Sequence, residues 1–142
     1  MILYVDASAL VKRYVDEPGS VTVRAVLERQ AVATSRLSEV EIASGLARRS
    51  REGGLSPSHL GRALSSLRED IRSIALIELD EEVTREAVAL LTRHRLRAGD
   101  SVQLASCLYL HRQASEEVRL LAYDERLNDA ARAEGLALEL TG

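Results

Sequence analysis

Four carboxylates in this sequence stand where they could bind a metal ion together. They are Asp6, Glu41, Asp100 and Asp124, and each lies where an apolar run gives way to a predicted helix, or just inside that helix. In a parallel α/β sheet, strand ends and the helix starts that follow them meet at one edge, where ligands bind. Four negative side chains gathered there repel one another unless a cation lies between them. The pattern therefore predicts a site for a hard divalent cation of the kind used in phosphate chemistry.

The elements that must position these carboxylates follow from the alternation of β-rich and helical stretches. Strands are predicted at residues 2–5, 31–34, 74–79, 118–122 and 136–140, and helices at 7–13, 20–29, 38–51, 57–68, after 80, at 100–111 and at 124–132. Such alternation is typical of a parallel sheet covered by helices. We predict an α/β fold, a three-layer α/β/α sandwich with a central, mostly parallel sheet of four to five strands. Residues 1–142 fit a single domain of ordinary size.

The composition is that of an ordinary globular domain. Apolar residues make up 46% of the chain and charged residues 29%, and no apolar stretch approaches the roughly 20 residues needed to span a membrane. Asp6 breaks the N-terminal apolar run too early for a secretory signal, so we expect a cytoplasmic protein without membrane contact. Lys12 is the only lysine among 19 basic residues, and the arginines can make planar, bidentate contacts with phosphate.

Capping of helices is the structural alternative for two of these carboxylates. Asp oxygens satisfy the free backbone N–H groups at helix starts, and Asp6 and Asp124 each precede a predicted helix. Asp80 shows the same local pattern, and we assign it no function. What distinguishes Asp6 and Asp124 from Asp80 is that both follow runs predicted to be central strands, so both would lie at the carboxyl edge of the sheet.

Capping explains the other two carboxylates as well. Asp100 with Gln103, and Ser38 with Glu41, have the spacing of capping boxes. Glu39 competes with Glu41 for the site, but residues two apart on a helix point about 200° from each other, so only one can face it. The apolar neighbours on the side of Glu41 favour Glu41 as the carboxylate at the core boundary.

Other chemistries fit the sequence less well. A haloacid-dehalogenase-like phosphatase needs a second Asp two residues after Asp6, where Ser8 stands. The sequence has no Gly-rich phosphate loop with GK[ST], no GxGxxG and no GxSxG. The three histidines follow no zinc spacing, and Cys107, the single cysteine, is predicted to pack in the core.

Four segments resemble the motifs of the PIN-domain ribonucleases, in particular those of VapC-like toxins from toxin–antitoxin pairs. In chain order the segments are VDASALVK, ATS followed by VEI, LRAGD followed by LA, and LAYDERL. Their order and spacing match the family over nearly the whole chain. This sequence departs from the family at Ala122, where Thr or Ser is frequent, and at Ser101 and Gln103, where small apolar residues are common.

The resemblance implies an endoribonuclease that depends on Mg²⁺ or Mn²⁺. Asp6 and Asp100 would bind the metal directly, Glu41 would bind it or orient a water, and Asp124 would act on a second ion or through water. Ser8 would hold Asp6 or the substrate. A water made more acidic by the metal would hydrolyse an RNA phosphodiester bond. The resemblance also implies the toxin component of a type II toxin–antitoxin system, with a cognate antitoxin as partner and a homodimer as the usual assembly.

Three surfaces are candidates for contacts with RNA or with the antitoxin. Two arginine clusters adjoin the carboxylates and either follow an RNA backbone or form a solvated face: Arg48, Arg49 and Arg51, and Arg93, Arg95 and Arg97. Base stacking is limited to a few tyrosines, namely Tyr14, Tyr109 and Tyr123, with Tyr4 predicted in the core. Three leucines, Leu46, Leu55 and Leu60, either belong to an antitoxin groove or pack in the core.

Two further functions stay open at this point. One is a catalytically inactive PIN-like module that binds RNA or a protein, which the presence of all four carboxylates argues against. The other is a metal-dependent phosphoesterase that acts on a small phosphate ester, which the arginine clusters beside two of the acids disfavour.

Overall fold

The computed structural model describes residues 1–139 and contains a five-stranded sheet with helices on both faces. The strands are β1 (Ile2–Val5), β2 (Ala31–Ser35), β3 (Ala75–Ile77), β4 (Val118–Leu121) and β5 (Ala137–Leu138). The helices are α1 (Ala7–Leu10, continued by a 3₁₀ turn at Val11–Arg13), α2 (Ser20–Arg29), α3 (Leu37–Arg51), α4 (Pro57–Ile71), α5 (Glu81–Arg93), α6 (Ala98–Gln113) and α7 (Glu125–Ala133). Within residues 1–139, no helix is both long and apolar enough to cross a membrane.

The sheet order places the end of β1 at the point where the chain reverses its direction of winding. The strands lie in the order β3-β2-β1-β4-β5, and all pairs are parallel. The chain first builds outward from β1 through β2 to β3, then crosses to the other side of β1 to form β4 and β5. Ligands of open α/β sheets bind outside the carboxyl ends of the strands at such a switch point, which here lies between β1 and β4.

Each face of the sheet is covered by its own apolar cluster. Along β1 the side chains of Leu3 and Val5 point into the cluster formed with α1 to α4, whereas Tyr4 points into the cluster formed with α5 to α7. All three are fully buried. The predicted α/β/α sandwich is therefore confirmed, and the buried Cys107 lies in the second of the two clusters, as predicted.

Several helix and strand ends differ from the predictions. The helix predicted at 100–111 begins two residues earlier, at Ala98, so Asp100 lies in its first turn rather than at its start. The helix predicted to end at 68 continues to Ile71, because Leu67 and Ile71 lie one turn apart on its buried face. The last strand is shorter than predicted, and Leu140, its predicted final residue, lies outside the described residues.

The three leucines that were candidates for an antitoxin groove belong to the core. Leu46 is fully buried, Leu55 is buried, and Leu60 packs against the same cluster. The core alternative is therefore confirmed for these residues.

We expect Leu46→Ala to lower the free energy of unfolding by about 2–5 kcal/mol, because it leaves a cavity in the core. Val40 provides the matched control on the same helix, since 66% of its side chain is exposed. Val40→Ala should change the free energy of unfolding by no more than about 0.5 kcal/mol. Urea unfolding of both variants measures the difference, and equal effects would contradict the placement of Leu46 in the core.

Candidate active site

Asp6 ends the central strand and is the most buried of the four carboxylates. Its side chain is 3% exposed, and its Oδ1 accepts hydrogen bonds from Ser8 Oγ at 2.7 Å and from the Ala9 backbone N–H at 3.1 Å. Asp6 thus caps α1 with one oxygen. No hydrogen bond reaches its Oδ2 within residues 1–139. Burial and, to a smaller extent, the charge of Glu41 raise the pKa of Asp6 to about 7, although the hydrogen bonds from Ser8 and Ala9 lower it.

Ser8 connects Asp6 to the loop that follows β4. Its hydroxyl donates to Asp6 and accepts a hydrogen bond from the Tyr123 backbone N–H at 2.9 Å. The Asp6 backbone N–H in turn donates to the Leu121 carbonyl at 3.2 Å. These contacts join the ends of β1 and β4, the two strands that flank the switch point.

Glu41 lies on α3 and reaches the same edge of the sheet. Its Oε1 accepts a hydrogen bond of 2.7 Å from Gln103 Nε2, which comes from α6. The pKa of Glu41 is raised by partial burial and by the charge of Asp100, while the Gln103 hydrogen bond acts in the opposite direction. Glu41 is therefore a half-buried carboxylate with a second carboxylate as its electrostatic neighbour.

Asp100 and Asp124 line an open cleft at this edge of the sheet, together with Ser8, Arg97 and Arg126. Asp124 is the N-cap of α7, because its Oδ1 accepts from the Leu127 backbone N–H at 3.1 Å. Asp100 lies in the first turn of α6 and accepts from the Arg97 backbone N–H at 3.4 Å. Partial burial and the charge of Asp124 raise the pKa of Asp100, and Arg97 and Arg126 oppose that rise.

Both predicted capping boxes are wrong. Gln103 does not bond to the start of α6, because the helix begins at Ala98 and its sixth residue, Gln103, faces the sheet. Gln103 is 2% exposed and bonds instead to Glu41 and to Ser38, which lies at 3.0 Å. Ser38 is fully buried and makes no cap. Asp100 nevertheless keeps a capping role, because it accepts from the backbone N–H of Arg97, the N-cap of α6, whereas Glu41 lies inside α3 and bonds to Gln103.

The four carboxylates form a chain of electrostatic neighbours at this edge of the sheet, and two of them, Asp100 and Asp124, line the cleft. Asp6 is affected by Glu41, Glu41 by Asp100, and Asp100 by Asp124. As the side chains stand within residues 1–139, no group of three His, Cys, Asp or Glu converges closely enough to hold a metal ion directly. The cleft thus collects negative charge without closing around a ready-made coordination cage.

The donor set fits a hydrated hard cation. Carboxylate oxygens suit Mg²⁺ and Mn²⁺, whereas the nitrogen and sulfur ligands typical of zinc sites are missing among the four. Mg²⁺ keeps several waters and is usually bound by only one or two carboxylates, so the site does not need three converged side chains. A cation at this position would bind the Oδ2 of Asp6. It would also stabilise the charged form of this carboxylate and so lower its raised pKa.

Arginines at the rim of the cleft are fewer than the sequence clusters suggested. Arg97 and Arg126 line the cleft together with Asp100 and Asp124. Arg93 instead pairs with Glu134, and Arg49 pairs with Glu17, so neither of these two is free for a ligand. Arg126 was missed by sequence reasoning, although it lies only two residues after Asp124 in the fourth acidic segment.

Tyr123 is the tyrosine that lines this cleft. Its ring packs under the Lys12 ammonium, which lies 4.5 Å from the ring centroid. Tyr14 is buried and its hydroxyl donates to Asp70, so it is not available for base stacking. Tyr4 is fully buried, as predicted.

Comparison with known proteins gives both family and structural relatives. The profile of the PIN domain matches residues 3–133. Ribonuclease VapC49 of Mycobacterium tuberculosis (strain ATCC 25618 / H37Rv) is 32% identical over 135 residues, which cover 94% of this chain and 92% of the relative.

Two solved structures show that the fold is shared at lower identity. VapC20 of Mycobacterium tuberculosis, described as a sarcin-ricin loop cleaving toxin, superposes with a TM-score of 0.65 at 17% identity, covering 95% of this chain and 96% of that one. A toxin-antitoxin complex from Klebsiella pneumoniae gives a TM-score of 0.63 at 17% identity, covering 87% and 88% of the two chains.

The raised pKa of Asp6 makes stability depend on pH. The unfolded chain loses this proton near pH 4 and the folded protein near pH 7, so the charged carboxylate destabilises the fold progressively across that interval. We expect the free energy of unfolding of Asp6→Asn, relative to the native protein, to rise by as much as about 4 kcal/mol between pH 4 and pH 8. Urea unfolding in EDTA at several pH values measures this, and a difference that does not change with pH would refute the assigned burial effect.

Proposed function

This chain belongs to the PIN-domain family, and from that premise we propose that it is a metal-dependent endoribonuclease and the toxin of a type II toxin–antitoxin pair. The observation that carries the proposal is the buried Asp6 carboxylate, which lies at the switch point of the sheet and has one oxygen that accepts no hydrogen bond from residues 1–139. The ribonuclease name of a relative that covers almost the whole chain supports RNA as the substrate.

The residues of the site have different roles in the proposed reaction. Bound Mg²⁺ or Mn²⁺ would neutralise charge on the phosphate and acidify a water for attack on phosphorus. Asp6 and Asp100 would hold the metal, and Ser8 keeps Asp6 oriented through its hydrogen bond. Glu41 would bind the metal or orient a water. Asp124 acts through water or on a second ion, since one of its oxygens caps α7.

Arg97 and Arg126 hold the RNA backbone beside the carboxylates. Their guanidinium groups line the same cleft as Asp100 and Asp124, so a phosphate bound to them lies next to the metal-binding groups. An open cleft with arginines at its rim suits a polymer better than a small phosphate ester.

A cognate antitoxin is the second partner in this proposal, and a homodimer is the assembly. The relative of known structure from Klebsiella pneumoniae is a toxin–antitoxin complex with the same fold, which supports a protein partner of this kind. Leu46 and Leu55 do not form the surface that binds the antitoxin, because both are buried in the core.

Removal of a metal-binding carboxylate should abolish cleavage of RNA. We expect Asp6→Asn and Asp100→Asn each to lose at least roughly 100-fold in cleavage rate with Mn²⁺, since even outer partners of a metal site contribute about 10–100-fold. Asp80→Asn is the matched control, because Asp80 caps α5 through the Val83 N–H at 2.9 Å and lies outside the four. EDTA should stop cleavage by the native protein. Cleavage that persists in Asp6→Asn would reject the assignment.

The arginines of the cleft should determine part of the salt dependence of RNA binding. In the Asp6→Asn background, we expect Arg97→Ala and Arg126→Ala each to reduce the slope of log affinity against log salt by about 0.7, the contribution of one single-strand phosphate. Arg85→Ala is the control, because Arg85 lies exposed on α5 and pairs with Glu81. Fluorescence polarisation with labelled RNA measures the slopes, and three equal slopes would exclude the cleft as the binding path.

A further inference from the structure

Both oxygens of the Glu41 carboxylate lie next to residues of another helix. Gln103 Nε2 donates to Oε1 at 2.7 Å. On the other side, a Cβ atom at Gly99 would lie only 2.8 Å from Oε2, a distance at which the Glu41 side chain would have to shift. Both residues belong to α6, whereas Glu41 belongs to α3. Helix α6 therefore determines where a carboxylate carried by α3 can point.

The orientation of the Gln103 amide is itself fixed. The Tyr4 hydroxyl donates to its Oε1 at 2.7 Å, and its two N–H groups are directed to Glu41 and to Ser38 Oγ. Rotation of the amide by half a turn would place its oxygen against the Glu41 carboxylate, with no hydrogen between them. Because Gln103, Tyr4 and Ser38 are all buried, water cannot replace these contacts.

The same hydrogen bonds continue to the backbone that precedes Asp6. Thr34 Oγ1 donates its hydrogen to the Val5 carbonyl at 2.5 Å. The 2.6 Å contact between Thr34 and Ser38 must then be donated by Ser38. Every hydroxyl and amide hydrogen in this polar network, which consists of Tyr4, Gln103, Ser38 and Thr34, has an acceptor. A buried network that is fully satisfied is rigid, so it can hold Glu41 in one position.

We propose that Gln103 is a positioning residue and that, with Gly99, it forms a seat that holds the Glu41 carboxylate in the cleft before any metal binds. Gln103 donates the hydrogen bond that fixes one oxygen, and Gly99 leaves the space that the other oxygen occupies. The inference rests on the proposed function, because it assigns this geometry to the metal site of the nuclease. Preorganised ligands bind a metal more tightly because less ordering is needed on binding.

Gly99→Ala tests the seat by a substitution that should not lower the stability of the fold. Gly99 lies in α6 without a positive φ, so alanine suits its backbone and is favoured in a helix. The added methyl group meets only the end of the Glu41 side chain, which must move. We expect an unfolding midpoint that is not lowered, together with a Mn²⁺ dissociation constant raised about 10-fold or more. Gly61→Ala on α4, where no atom lies within 4 Å of the added group, is the control and should bind as the native protein does.

Gln103→Met tests the hydrogen bond itself. Methionine has a similar length but no donor, so we expect the Mn²⁺ dissociation constant to rise by roughly 10–100-fold. This substitution also leaves the Tyr4 hydroxyl without its acceptor, which lowers stability. Adding Tyr4→Phe removes that hydroxyl and should recover part of the unfolding midpoint without recovering Mn²⁺ affinity.

Titration calorimetry with Mn²⁺ alone on the metal-free proteins, with RNA cleavage measured on the same samples, separates the outcomes. Affinities that fall in Gly99→Ala and Gln103→Met but not in Gly61→Ala support the seat, even if no sample cleaves RNA and the nuclease proposal fails. Unchanged affinities in both variants overturn the seat, even if every sample cleaves RNA. If Gln103→Met does not fold, the Gly99→Ala result decides alone. Absence of Mn²⁺ binding by the native protein would also overturn the seat.

Discussion

The burial of one carboxylate at the end of the central strand is the constraint around which the rest of the site is arranged. Asp6 cannot be fully solvated there, and burial raises its pKa to about 7. Within residues 1–139, its side-chain hydrogen bonds come from the hydroxyl of Ser8 and the backbone N–H of Ala9, both on the same oxygen. A fold that maximised its own stability would place an apolar or neutral side chain at this position. A buried, undercompensated charge at the switch point of a parallel sheet instead indicates a position at which a cation supplies the remaining charge.

The surrounding elements keep the other carboxylates near Asp6 without letting them pair with arginines. Helix α3 brings Glu41, helix α6 brings Asp100, and helix α7 begins at Asp124. Arg97 and Arg126 lie close enough to affect the pKa of Asp100, yet in the part of the chain that the structure describes neither forms an ion pair with it. The polar network beneath the cleft makes the arrangement rigid from the core side. The carboxylates at the cleft thus lower the free energy of unfolding, and the two apolar clusters that enclose the sheet stabilise the fold.

Much of this arrangement can be predicted from local sequence. Asp6 follows a short, wholly apolar run, which reveals both the strand and its end. The choice of Glu41 over Glu39 follows from helical geometry together with the apolar neighbours on the side of Glu41. Asp124 can likewise be recognised from the sequence, because it is a polar residue between a predicted strand and a predicted helix. In each case the information lies within a few residues of the position concerned.

The interactions that the sequence does not reveal join distant parts of the chain. The spacing of Asp100 and Gln103 suggested a local capping box, but Gln103 contacts Glu41, 62 residues away. Likewise, Arg49 resembled a phosphate-binding residue until the fold paired it with Glu17. Local spacing cannot distinguish a side chain that faces the cleft from one that faces the core or an ion-pair partner, because helix starts shift by a residue or two. The most direct measurement of the central claim is the anomalous scattering of crystals grown with Mn²⁺. We predict a manganese peak in the cleft, within coordination distance of Asp6 and Asp100, and a peak elsewhere or none at saturating Mn²⁺ would contradict the assignment.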